Sequence, residues 1–67
     1  MKPKTMKIKE VIKKLENEGW VLARQKGSHK TFKKAGVPEL ITVADHGVNE
    51  PMKTGTLKAI KKTAGWD

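Results

Sequence analysis

The sequence predicts an α+β fold of order α-β-β-β-α, with a three-stranded antiparallel sheet and two helices on one face. Three observations carry this expectation. Apolar residues recur at helical spacing near both ends of the chain, β-branched and aromatic runs fill the middle, and glycine-containing turns interrupt those runs. A three-stranded sheet needs a cover, so both helices are expected on the same side of it.

The first helix is expected in "TMKIKEVIKKLENEGW". Ile8, Val11, Ile12 and Leu15 stand at i, i+3, i+4 and i+7, which aligns them in one apolar stripe. Thr5 is the expected N-cap and Gly19 the expected terminator. Glu10 and Lys14 have the spacing and orientation of a helical ion pair on the solvent side.

A hairpin follows, with strands in "WVLARQ" and "HKTF" joined at "KGS". Gly27 supplies a backbone conformation that other residues resist, and His29 emerges directly from the turn. Pro38 has no N–H to give to a sheet, so the third strand, "LITV", is expected to begin after it. "ADHGVNEP" reads as a loop. The second helix is expected in "KTGTLKAIKKTAGWD", with Leu57, Ile60 and Ala64 inward, Lys58 and Lys62 outward, Thr54 as cap and Gly65 as terminator. Trp20 and Phe32 are assigned to the core, while Trp66 either packs or frays.

Size limits what this fold can hold. The chain has 67 residues, 36% of them hydrophobic, against ~45–50% in ordinary globular domains. It can build one thin core, and a chain this short buries only about 60% of its unfolded surface, so a stabilising partner is expected. We read residues 1–67 as a single domain, since repeats and linkers are lacking. Without cysteine there is neither a disulfide framework nor a thiolate metal site. No apolar run approaches the ~20 residues of a membrane span, and "MKPKTMKIKE" is not followed by the apolar segment of a signal peptide. The expected location is the cytoplasm.

Charge narrows the partner. The net charge is +8. Residues 19 to 34 carry Arg24, Lys26, Lys30, Lys33 and Lys34 without one acid, whereas residues 35 to 52 carry Glu39, Asp45 and Glu50 and no lysine or arginine. Solvated lysines explain the helices well, but surfaces ordinarily mix signs. An acid-free hairpin favours a polyanion, with nucleic acid ahead of membrane.

Catalytic candidates are few. His29 and His46 are the imidazoles, the helix carboxylates face solvent, and the glycines form no phosphate-binding loop. We therefore assign no metal and no cofactor. A histidine neutral at pH 7 can act as a general base, and on RNA its target is the ribose 2′-OH, which then attacks the adjacent phosphate. Lysines nearby would stabilise the charge that develops on the phosphoryl oxygens. Yet a lone histidine after a turn is more often a surface residue than a catalyst, so residue types alone rank binding ahead of cleavage. Ser28 reads as a turn residue able to donate to phosphate, and His46 as a spectator or a second acid/base group.

Three separated pieces, "EVIKKLENEGWVLARQKGSHKTFKK", "ITVADHG" and "MKTGTLKAIKKTAGW", resemble the HicA, or YcfA-like, family of bacterial toxins, the messenger-RNA-cleaving half of HicA/HicB toxin-antitoxin pairs. The resemblance implies a double-stranded-RNA-binding-domain-like fold and a metal-independent endoribonuclease whose essential histidine is the one in Gly-Ser-His, here Gly27, Ser28 and His29. It implies messenger RNA as substrate, and a HicB antitoxin that covers the active surface. The toxin alone would be monomeric, and hetero-oligomeric with its antitoxin. Arg24, Lys26, Ser28, Lys30 and Lys33 are the expected RNA-binding residues around catalytic His29, with Gly27 as the structural turn. The chain departs from the family pattern after the third strand, where many members have "VP" and this one has Val43 and Ala44, followed by an acid, Asp45, beside His46.

Three functions therefore compete. A ribonuclease toxin would lose cleavage and keep RNA binding in His29→Ala, a noncatalytic double-stranded-RNA binder has no cleavage to lose, and a protein-interaction module would bind no RNA at low salt.

Overall fold

A computed structural model describes residues 6–47 and 50–66. The elements run α1 (Ile8–Asn17), β1 (Val21–Lys26), β2 (His29–Lys34), β3 (Val37–Ala44) and α2 (Thr54–Ala64). The sheet is antiparallel in the order β1-β2-β3, so β2 is central and the other two strands are edges. This is the expected α-β-β-β-α architecture of a double-stranded-RNA-binding-domain-like fold.

Helix α1 starts two residues later than its sequence signal suggests. Its N-cap is Lys7, whose backbone N–H donates to Glu10 Oε1 at 2.8 Å. Thr5 lies outside the described residues. Glu10 is thus engaged at the helix start, and Lys14 pairs forward with Glu18 at 3.3 Å rather than back with Glu10. The C-terminus closes as a Schellman turn. Gly19, at φ 96, donates to the Glu16 carbonyl, and Trp20 N–H donates to that of Leu15. Glycine is needed there because a Cβ disfavours positive φ. The motif folds the chain back so that Trp20 lands on Leu15, and both are buried.

Helix α2 ends in the same way. Gly65 is left-handed, and Trp66 N–H donates to the Lys61 carbonyl at 2.8 Å. The N-cap of α2 is Lys53, with Thr54 as the first helical residue. Trp66 packs rather than frays: its Nε1 donates to Glu18 Oε1 at 2.6 Å, and Lys14 Nζ sits 5.2 Å from the ring centroid. The end of one helix is thereby tied to the end of the other.

The core comprises Ile8, Val11, Leu15, Trp20, Phe32, Ile41, Val43, Met52, Leu57 and Ile60. Each large aliphatic side chain removed from water here contributes roughly 1.5–3 kcal/mol before entropy is charged against it. The Trp20 indole N–H is buried with no hydrogen-bond partner among the described residues, a cost of about 1–3 kcal/mol that burial of its ring offsets. Met52 was not expected inside. It is drawn there by backbone pairing, as Met52 N–H donates to the Met6 carbonyl and Ile8 N–H to that of Glu50, which laces the α2 approach to the α1 entry.

One strand boundary also differs. β3 begins at Val37 and includes Pro38, because an edge strand can carry a residue that lacks an N–H. β1 is exposed along its whole length, with Val21 and Leu22 about half accessible. Trp20 precedes β1 and does not belong to it.

Candidate functional site

The sheet register decides which residues of the cationic hairpin share a face. Phe32 pairs with Leu22 and Ile41, and Lys30 pairs with Gln25 and Val43. Phe32, Ile41 and Val43 are core residues, so these rows point toward the helices. The intervening rows point away. They are Arg24, Thr31 and Thr42, then Lys26, His29 and Ala44, with Lys33 opposite Val21 further along. Thr31 Oγ1 and Thr42 Oγ1 approach to 3.3 Å, which places them side by side on that open face.

The open face therefore carries His29 directly across from Lys26, with Arg24 on the diagonal and Lys33 farther along the central strand. Directly opposed Cβ atoms in such a sheet lie ≈ 4.5–5.5 Å apart and diagonal ones ≈ 7–8 Å apart. These rows contain hydroxyls and cations but no carboxylate. His29, Lys26, Arg24 and Lys33 are all exposed. An anion approaching the sheet meets Lys26 and Arg24 on the β1 side of an accessible imidazole.

The turn before His29 is tight. Lys26 and His29 pair across Gly27 and Ser28, with Gly27 at φ 59 and no positive φ at Ser28. That is the signature of a type II′ turn, whose first central position favours glycine. The Gln25 side-chain amide donates to the Gly27 carbonyl at 3.0 Å and braces the turn from within the strand.

Lys30 is the predicted phosphate ligand that the structure places elsewhere. It alternates to the helix side of β2, where its ammonium donates to Asp45 Oδ2 at 3.0 Å and is partly buried. A period of two sends adjacent residues to opposite faces, so Lys30 cannot share the open face with His29. Ser28 is half-buried, and its carbonyl accepts from the Asp45 backbone N–H at 2.6 Å.

Asp45 belongs to no catalytic motif, yet it is tied to the residues on both sides of His29. Its Oδ1 accepts from the Gly47 N–H at 3.0 Å. That bond, then the Lys30 ammonium and the Lys9 charge, hold its carboxyl below the usual aspartate range against the opposing effect of burial. The sequence shows Asp45 as one of three acids in a segment without lysine or arginine, and only the sheet register brings Lys30 to it. His46 is exposed and lines a cavity with Ile8, Ala44, Glu50, Met52 and Thr56.

A double-stranded-RNA-binding-domain-like scaffold with an exposed histidine beside Lys26 and Arg24 on the open sheet face defines a small α+β protein with a basic surface. Residues 8–66 match the family model described as the HicA toxin of bacterial toxin-antitoxin systems, and the chain belongs to that family. It is accordingly a toxin-antitoxin toxin, and the family implies a HicB antitoxin as partner. No curated protein gives a significant match. Among the described residues, no helix is long and apolar enough to cross a membrane.

Proposed function

We propose that this chain is a single-domain, cytoplasmic, metal-independent endoribonuclease that cleaves messenger RNA on the open sheet face, with His29 as general base. The observation that carries the reading is the row Lys26–His29–Ala44, which sets an exposed imidazole opposite an ammonium beside an Arg24–Thr31–Thr42 row free of acids. Family membership supports it.

In this mechanism Arg24 and Lys26 hold the phosphodiester over the face, and Lys33, farther along the strand, meets a neighbouring phosphate of the same RNA. His29 takes the proton of a ribose 2′-OH, and the 2′-oxygen forms a bond to the adjacent phosphorus as the bond to the 5′-oxygen breaks. The products are a 2′,3′-cyclic phosphate and a 5′-hydroxyl, whose proton comes from the imidazolium or from water. Lys26 and Arg24 stabilise the negative charge that grows on the phosphoryl oxygens. DNA has no 2′-OH, so selection for RNA lies in the chemistry. The HicB antitoxin would block the reaction by covering this face.

The test is cleavage of a long messenger RNA in EDTA by the wild type and His29→Ala. A general base contributes ~10²–10⁴-fold, so the variant is expected to lose cleavage by that factor while RNA affinity persists. Equal cleavage by both proteins removes His29 from the mechanism. RNA binding with no cleavage by the wild type leaves the noncatalytic binder.

A further inference from the structure

We propose that Asp45 is the positioning residue for His29. This rests on the ribonuclease reading above and adds a residue to it. The residues before and after His29 are both tied to Asp45. On one side its backbone N–H donates to the Ser28 carbonyl at 2.6 Å, and on the other its carboxylate accepts from the Lys30 ammonium at 3.0 Å. The second carboxylate oxygen accepts from Gly47 N–H at 3.0 Å, which fixes the carboxylate against its own loop.

The placement matters because His29 opens β2 next to a two-residue turn, where a hairpin would otherwise fray. Its only sheet neighbours are Lys26 on an exposed edge strand and Ala44 at the last position of β3. A general base must stay within hydrogen-bond reach of its proton, and a displacement of about 1 Å can cost ~10²-fold in rate. Asp45 supplies the restraint from the face that RNA does not touch. The charged groups that bear on it are Lys30 from β2 and Lys9 from α1. The ion pair also keeps the Lys30 ammonium on the helix side of the sheet.

The experiment compares Asp45→Ala, Asp45→Asn, Lys30→Met and the Asp45→Ala/Lys30→Met double variant. It reads kcat and KM on RNA, the thermal midpoint, and amide hydrogen exchange at residues 28 to 30 without RNA. Asp45→Ala is expected to lower kcat at least about tenfold with KM within about twofold, and to speed exchange at residues 28 to 30 while the core stays protected. Asp45→Asn keeps an acceptor for Gly47 and should fall between Asp45→Ala and the wild type. The double variant should be no slower than the worse single one, because both substitutions open one clamp.

An unchanged kcat in Asp45→Ala overturns the proposal, as does a loss carried by KM or losses that add in the double variant. If the wild type cuts no RNA, the ribonuclease reading fails on its own. The clamp is then judged by exchange, and unaltered exchange at residues 28 to 30 in Asp45→Ala overturns it as well.

Discussion

The two faces of β2 differ more than their sequences suggest. His29, Thr31 and Lys33 look out over an open basic surface, whereas Lys30 and Phe32 turn toward the helices and Lys34 reaches the α1 C-terminus. On the inner side both lysines lie against the fold. Lys30 meets Asp45, and the Lys34 chain comes within 3.7 Å of where a Cβ on Gly19 would stand and lowers the pKa of Glu18 by its charge. On the outer side the cations have no carboxylate in their rows. A single run of basic residues is thus divided by the pleat into a part that holds the fold and a part available to a ligand.

Breaking the inner side outright should have the largest effect. Phe32→Ala removes a ring that is 1% exposed, and such truncations cost about 3–5 kcal/mol. A core this small supplies little more than that in total, so the expected outcome is loss of a cooperative thermal transition and, with it, of both faces. Retention of a sharp transition near the wild-type midpoint would show that the core does not depend on the central strand. His29→Ala is its counterpart on the outer side, and it should move stability by no more than about 0.5 kcal/mol while cleavage collapses.

A subtler contrast uses residues of equal charge. Arg24→Ala and Lys33→Ala should each weaken RNA binding and flatten the dependence of log K on log salt by about 0.7–0.9. Lys34→Ala removes the same charge from the inner side and should leave that slope within about 0.2 of wild type. Salt titrations of RNA binding for the three variants decide the matter. Equal slopes would mean that RNA does not distinguish the faces.

The smallest effect expected is on acid stability. Glu18 is held below its ordinary pKa of 4.5, first by the Trp66 indole N–H and then by Lys14, against desolvation. Asp45 is held below its ordinary 3.8 by Gly47 N–H and Lys30. As pH falls through those ordinary values the unfolded chain takes up protons that the folded chain still refuses, so stability drops, and the loss is complete once pH passes below the depressed folded values. At neutral pH the contribution is fully present. Glu18→Gln and Asp45→Asn should each lower stability at pH 7 slightly and flatten its fall below about pH 4.5, as followed by denaturant midpoints across pH. An unaltered profile in Glu18→Gln would discount the indole contact that ties Trp66 to α1.

Much of this organisation is legible in the amino-acid sequence. The element order, the buried stripe of Ile8, Val11 and Leu15, the turn at Gly27 and the glycine stops at Gly19 and Gly65 follow from periodicity and backbone preference, which are local properties. So does the exposure of His29, since it leaves a tight turn. Periodicity does not carry the rest. Glu10 has the spacing to pair with Lys14 yet caps the helix, β3 reaches back through Pro38 to Val37, and Met52 is drawn into the core by the pairing of its backbone with Met6.

The amino-acid sequence by itself determined which segments become helix and strand, where the charge lies and which histidine stands in a basic setting, because spacing and side-chain chemistry act over a few residues. Only the tertiary structure decided what each cation meets. The antiparallel register sends Lys30 to the Asp45 carboxylate and leaves Lys26 and Arg24 beside His29, with Lys33 farther along the same face. Partners 15 residues apart, as Lys30 and Asp45 are, or 48 apart, as Glu18 and Trp66 are, are set by how strands pair and helices dock, and a one-residue shift in that pairing would exchange the two faces.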